Sequence, residues 1–466
     1  MKHLNRLAAA LVLLTAPAAA DNFTVEPSQS VAEIQAVLDG ATDGDTVRFN
    51  KGTYVLDQTL FASNAGVTLK ASKAVLDARH QTTAITVLAD GVTVQDFRIV
   101  NGNPYGIFVA SFVEPDGGTI PDGVTVTKNR VDGCDSDGIH VQATNATITS
   151  NRTGGNLGNG IAFIDLLFKD GGKGPESTVT ISKNQAVMNS DHGIEIDVGS
   201  TTALVIEKNL CLTNDGAGLS IERKPAFPPD GEGEIGPLSV VAKNTCHGNA
   251  DDGIRAEAVT PLNWNLRVEK NQTHGNLEDG VDVNGSGVTV TGNKADRNQD
   301  EGADLDVINS LISKNRFQFN GRDGLEVNPF DPDDGDGGGS VAGDNDIESN
   351  TCKGNAREGI EITSEDNALV GNRCLQNLGD GIDLEPEGIT DNRLEGNICT
   401  ANNHEGIDNG GGATDIVGNK CKGNAHGAGP DLAGTGDGGV GSTDEFEGNS
   451  FATGGEDTQA RLDFPD

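Results

Sequence analysis

Aromatic side chains are scarce in this chain: 4% of 466 residues, with one Trp and two Tyr. Neutral sugars stack on aromatic faces, and the candidates for that role are few: Phe108, Phe112, Phe163, Phe168, Phe227 and Trp264. Basic residues are also short, with 33 Lys and Arg against 71 Asp and Glu, a formal net charge of −38. The sequence pI near 4.3 argues against a sequence-independent grip on nucleic acid, which needs cations to displace counterions. Beyond the N-terminus no apolar run reaches the roughly 18 residues of a membrane span. Heptads are absent, which excludes a coiled coil. Hydrophobic residues make up only 35%, yet they recur in every segment, so the chain is not disordered. Glycine is abundant, at 64 residues.

The first residues read as an address. Lys2 and Arg6 precede the apolar run Leu7 to Ala16, and small residues follow at Ala18, Ala19 and Ala20. A charged start, a short apolar stretch and an A-x-A site make residues 1–20 a secretory signal peptide, cleaved before Asp21. The expected location is therefore extracellular, cell-surface or periplasmic.

Self-similarity organises the rest. An Asn closes a short β-rich run thirteen times, from Asn129 through Asn151, Asn293 and Asn372 to Asn449, with a base spacing of 22 and insertions of 3 to 13. A second Asn follows five residues later in eleven units, from Asn156 to Asn424. Then comes a Gly before an apolar residue, as in Asp137-Gly138-Ile139 and Asp323-Gly324-Leu325. Runs such as Gly193-Ile194-Glu195-Ile196-Asp197 alternate with period two, the mark of strands with one buried face. A 22-residue unit of short strands suits one rung of a solenoid, in which identical residues stack at about 4.8 Å and Asn side chains form ladders.

These units resemble those of the right-handed parallel β-helix, the pectin-lyase-like superfamily with its NosD-like repeat proteins. The stretch Ser30 to Leu38, then Gly44-Asp45-Thr46-Val47 and Lys51-Gly52-Thr53-Tyr54, is similar to that superfamily's N-terminal region. The resemblance implies an all-β, single-domain solenoid with a short N-terminal capping helix. Ser30 and Glu33 supply a capping box for that helix. The expected division is a cap and first rung over 21–65, a β-helix of about 15 rungs over 66–450, roughly 70 Å long, and a tail over 451–466.

Six cysteines, Cys211, Cys246, Cys352, Cys374, Cys399 and Cys421, each lie two residues after a ladder Asn, where other rungs have Val131, Ala186, Ala295 and Phe317. They form an inward file of small core residues. Cys134 stands instead in the second Asn file.

Five insertions, 110–122, 164–177, 223–237, 258–263 and 328–344, all follow the Gly-apolar strand, which places them on one side of one face. The outward positions of that strand change character along the chain. Before Asp252 they are mixed, with Tyr105, Asp137, His140, His192 and Phe108; from Asp252 on they are nearly all carboxylate. Like charges one rung apart repel, so counterions, protonation or bound Ca²⁺ must offset them. Candidate Ca²⁺ ligands are Asp282, Asp304 and Glu326 in the file, and Asp331, Asp333 and Asp336 in an acidic loop.

Catalysis points to the N-terminal third, where Tyr105, Asp137 and His140 fall on adjacent rungs and His192 lies two rungs past Asp137. Arg223, with Lys169, Lys173 and Lys224, supplies cations for a substrate carboxylate. Proton abstraction beside a carboxylate needs such a base, an acid and a cation. The set resembles the mannuronan C5-epimerases: Tyr105-Gly106-Ile107 corresponds to their Tyr-Gly-Phe, Asp137-Gly138 to their Asp-Gly and His192-Gly193 to their His-Gly. It departs from them where Phe108-Val109-Ala110 replaces Asp-Pro-His and where an extra rung carries Asn159. Asp251-Asp252-Gly253 and Asp191-His192-Gly193 echo glycoside-hydrolase signatures in the wrong order. The expectation is a secreted, polysaccharide-interacting protein, acting as a lyase or epimerase on acidic polysaccharide. The competing reading is a non-catalytic accessory solenoid.

Overall fold

The computed structural model describes residues 20–109, 120–165, 176–224, 236–258, 264–329, 343–385, 389, 391–409, 414–424, 432–433, 446–447 and 450–452. Three parallel sheets of 17, 16 and 15 strands wrap one apolar core. One turn runs through Thr125–Thr127 in sheet 1, Arg130–Asp132 in sheet 2 and Ile139–Val141 in sheet 3. The next turn repeats this path in strict register, with Val126 beside Ile148, Val131 beside Thr153 and Ile139 beside Ile161. The solenoid makes about 14 turns.

Two sharp corners explain the two Asn series. Between sheets 1 and 2 the chain turns on a left-handed residue, such as Lys128 with φ 56°, followed at once by the ladder Asn. That Asn turns inward and is buried. Its Nδ2 donates to the Oδ1 of the next Asn and to a carbonyl of the preceding sheet 1 strand: Asn293 reaches Asn315 at 3.1 Å and Val268 at 2.7 Å. Its Oδ1 accepts the backbone N–H of the Asn before it, 2.9 Å from Asn271. The ladder is continuous from Asn129 to Asn419. The second ladder, Asn156 to Asn424, closes the corner between sheets 2 and 3 in the same way. Cys134 begins that file, its N–H donating to Asn156 Oδ1. A third, shorter series, Ser310, Asn345, Asn367 and Asn392, closes the remaining corner and was not read from the sequence.

The Gly before the sheet 3 strands, from Gly106 to Gly406, is required by close approach. A Cβ on Gly324 would lie 2.5 Å from Gly359 O, 2.6 Å from Asn355 Nδ2 and 2.8 Å from Cys352 Cβ. The Gly file thus makes room for the Cβ of the inward residue it faces, Cys352 here and Phe317 at Gly302. Cys211 pairs with Cys246, and Cys352, Cys374, Cys399 and Cys421 stack in sequence. All seven cysteines are buried free thiols.

Helix Val31–Gly40 carries the expected capping box, Ser30 N donating to Glu33 Oε2 and Glu33 N to Ser30 Oγ. Val31, Ile34 and Leu38 face the core. Gln35 bonds both the N–H and the C=O of Phe61, on the first strand of sheet 3, and so blunts an edge that would otherwise pair with another chain. Among the described residues no helix is long and apolar enough to cross a membrane. The leader lies outside them except for Ala20.

Candidate functional site

The outer face of sheet 3 carries the anticipated file in unbroken register: Phe108, His140, Ala162, Glu195, Ser220, Arg255, Asp282, Asp304, Glu326, Glu361, Asp383 and Asp408. All five insertions leave the end of a sheet 3 strand and lead to sheet 1.

At the N-terminal end three predicted residues converge. His140 Nδ1 lies 2.8 Å from Asp137 Oδ2, and both side chains are about nine-tenths buried. The Tyr105 ring lies on His140 with centroids 4.7 Å apart, and Phe108 flanks both rings at 4.9 and 5.5 Å. His140 Nε2 faces Gln142 Nε2 at 3.1 Å. In the tautomer with Nδ1–H donating to Asp137, Nε2 accepts from the Gln142 amide and carries the lone pair that a general base offers. Burial first, and the Asp137 charge second, push the Tyr105 phenol above its usual range.

Sequence reasoning missed Asn159 and Glu195 as functional groups. Asn159 links the rungs: its N–H donates to Asp137 Oδ1 at 2.8 Å, its Nδ2 to Glu195 Oε2, and its Oδ1 accepts the His192 N–H at 3.0 Å. Ala162 separates His140 from Glu195 with only a methyl group. Burial, then the charges of Asp197, Asp137 and Asp191, push the Glu195 carboxyl up to about 7. The available signal was a lone carboxylate in a mixed stretch of the file; its burial was not visible.

Two predicted residues are not part of this group. His192 sits two rungs from Asp137, and its Nδ1 accepts the Ala217 N–H at 2.9 Å, so it ties backbone together. Arg223 is a correction. It continues the alternation of strand Leu219–Lys224, so it points inward with Leu219 and Ile221 and is 1% exposed. Its guanidinium donates to Ser200 O and Trp264 O and lies over the Trp264 ring, and burial lowers its pKa to about 10. Lys224 is outward but paired with Asp197 at 3.0 Å and Glu222 at 3.4 Å. Phe163 and Trp264 are fully buried, so they offer no sugar platform. Lys169, Lys173, Phe112, Phe168 and Phe227 lie outside the described residues.

From Asp252 on, the acidic wall has a structural component. Asp252, Asp279 and Asp323 each accept the backbone N–H of the following rung's acidic residue, at 2.9, 2.6 and 2.7 Å. Three arginines offset part of the repulsion: Arg322 reaches Glu301 at 2.8 Å, Arg357 reaches Asp323, Glu358 and Glu361, and Arg255 reaches Asp282 at 3.7 Å. Protonation offsets more. Burial, with neighbouring carboxylates, pushes Asp252 up to about 7, Asp304 to about 8, and Asp323 and Asp383 to about 9.

Among the described residues five groups, four of them all carboxylate and one with His404, bring three ligand atoms within 4.8 Å of one another. Glu326 joins Glu301 and Asp323 in one; Asp282 and Asp304 join none among the described residues. Asp331, Asp333 and Asp336 lie outside them. In the Glu358–Asp380–Asp383 group, Asp383 is 7% exposed and its Oδ1 has no hydrogen-bond partner among the described residues. An all-oxygen set of this kind fits Ca²⁺.

No curated protein matches the chain. The fold is similar to that of the A-module of mannuronan C-5 epimerase AlgE4 from Azotobacter vinelandii, with TM-score 0.49 and 16% identity over 78% of this chain and 97% of that one. It is also similar to the catalytic domain of a GH87 alpha-1,3-glucanase solved with tetrasaccharides (TM-score 0.44, 10% identity, 93% and 70% covered). An alginate lyase from Paenibacillus sp. str. FPU-7 is a third (TM-score 0.36, 14% identity, 63% and 94% covered). The family model described as the right handed beta helix region matches residues 77–226, and with the stacked register of all three sheets this makes the fold a right-handed parallel β-helix.

Proposed function

We propose that this chain is a secreted polysaccharide-interacting β-helix whose N-terminal rungs carry a proton-transfer site, used for lyase or C5-epimerase chemistry on an acidic polysaccharide. The observation that carries the reading is the Asp137–His140 pair beneath Tyr105, with Glu195 poised near neutrality beside it. In this reading His140, oriented by Asp137, takes the proton next to the sugar carboxylate. Tyr105, kept protonated by its surroundings, is a proton donor to the leaving oxygen or to the opposite face of the ring. Arg223 is turned inward, so among the described residues stabilisation of the charge developing on the sugar carboxyl falls to uncharged donors, the Asn159 amide and protonated Glu195. The test is incubation with polymannuronate, polyguluronate and polygalacturonate. A lyase yields an unsaturated product absorbing in the ultraviolet; an epimerase exchanges solvent deuterium into the sugar ring. Neither signal from any of the three polymers, with or without Ca²⁺, would sink the catalytic reading.

A second reading is favoured by the unpartnered Asp383 oxygen: the acidic wall takes up Ca²⁺ and stiffens the C-terminal rungs. It is compatible with the first, and equally with a non-catalytic accessory solenoid.

A further inference from the structure

The cations of this acidic chain are not scattered. At the corner between sheets 1 and 2, the left-handed position before the ladder Asn is lysine in six of twelve described rungs, and Lys73 takes the corresponding place two rungs before Lys128. The next outward position, at the start of the sheet 2 strand, holds Arg98, Arg130, Arg152, Lys294 and Arg316. Together they give every one of ten successive rungs, from Lys73 to Arg316, at least one cation at this corner. All are exposed. Lys208 pairs with Glu207 and Arg130 with Asp132; the others have no ion pair among the described residues. Glu207 reports the local field: its carboxyl is held below the usual range by its bond to Lys208, and the charges of Lys243 and Lys183 add to this.

Backbone geometry does not account for the lysines. The corner between sheets 2 and 3 imposes the same left-handed conformation before its own Asn ladder, and there glycine fills six of twelve positions and lysine none. Glycine is the cheaper residue for that conformation. Lysine at only one of two equivalent corners therefore answers to something outside the backbone.

We propose that this corner is a binding ridge for a linear polyanion, an acidic polysaccharide lying along the solenoid axis. The cations repeat at the rung spacing, about 4.8 Å, close to one sugar ring, so a chain with one carboxylate per sugar stays in phase over many turns. No aromatic side chain lies in either ridge position, which disfavours single-stranded nucleic acid, whose bases stack on such platforms. The net charge of −38 disfavours a second copy of the chain. The inference takes its class of polymer from the polysaccharide reading above but does not depend on catalysis at Asp137 and His140.

The experiment measures binding of the full chain to polymannuronate and polygalacturonate in EDTA at two salt concentrations, with dextran and oligothymidylate as controls. One variant combines Lys183→Ser, Lys208→Ser, Lys243→Ser and Lys270→Ser; serine already occupies this turn at Ser150 and Ser349. A second changes the same four residues to Arg. The expected result is salt-sensitive binding of the polyuronates, weakened about tenfold or more in the Ser variant, retained in the Arg variant, and absent with dextran. Overturning results are no polyuronate binding, equal binding by the Ser variant, tighter binding of oligothymidylate, or sedimentation of a dimer that the Ser variant dissolves. Turnover without ridge binding would sink this inference and leave the catalytic reading standing; ridge binding without turnover would do the reverse.

Discussion

The outer face of sheet 3 presents two surfaces on one backbone. In its N-terminal rungs, Asp137, His140, Asn159 and Glu195 differ from one another, and each has a named hydrogen-bond partner. From Asp252 on, the equivalent positions repeat one chemistry, and buried oxygens of Asp383 and Asp408 have no hydrogen-bond partner among the described residues. The Asn ladders, Gly file and strand register continue through both. A solenoid separates scaffold from surface: the inward files fix the coil, and the outward files are free to differ from rung to rung. Variety in an outward file marks a localised site. Uniformity marks a property spread over many rungs, here carboxyls whose burial raises their affinity for protons.

The largest test asks whether the scaffold is common to both surfaces. Asn151→Ala and Asn372→Ala each remove donors to a carbonyl (Val126, Ile347) and to the next Asn, and strand the amide of the Asn before. Each should cost about 3–5 kcal/mol, read by denaturant unfolding. A difference much above about 1 kcal/mol between the two would show that the halves do not share one scaffold.

Next comes the difference in chemistry. If the proposed lyase or epimerase activity is present, His140→Ala should lower turnover of a polyuronate by about a hundredfold or more, with little change in unfolding midpoint. Asp304→Asn, in the same file, should leave turnover within about twofold. Equal losses would dissolve the distinction between site and wall.

What the sequence disclosed follows the same division. The inward files were legible because each repeats one requirement: an amide at the corner, no Cβ at Gly324, an apolar side chain at Cys352. The convergence of Tyr105, Asp137 and His140 followed from register alone. Arg223 was misplaced because a strand that continues into an insertion keeps its alternation, and sequence does not mark where it ends. Glu195 went unnoticed because its proton affinity depends on burial and on Asp197, Asp137 and Asp191 together. The ridge was invisible as a ridge, since Lys128, Lys183 and Lys208 are ordinary turn residues until stacked.

A moderate effect concerns pH. Asp304 is held up to about 8 and Asp252 to about 7, both first by burial, while an unfolded Asp titrates near 3.9. Below about pH 4 both states hold these protons. Between about pH 4 and 8 the unfolded chain has released protons that the folded chain keeps, so stability falls as pH rises. In EDTA the melting temperature should therefore decline from pH 4.5 to pH 9. Asp304→Asn should melt above the parent at pH 9 and level with it at pH 4.5. A melting temperature that rises with pH would mean that the wall is not protonated when folded.

The smallest effect is the one that tells protons from calcium. Both relieve the same repulsion, so they compete for the Glu358–Asp380–Asp383 oxygens, and Ca²⁺ should matter most where protons have left. At pH 9, Ca²⁺ at about ten times its dissociation constant adds about 1.4 kcal/mol, a rise of a few degrees in melting temperature. At pH 5 the same addition should change nothing. Asp383→Asn should abolish the shift, because it replaces a carboxylate of the group whose oxygen has no partner among the described residues; Asp137→Asn, on the other surface, should preserve it. A Ca²⁺ shift that survives Asp383→Asn would move the ion elsewhere, and one equal at both pH values would show that it does not displace protons at all.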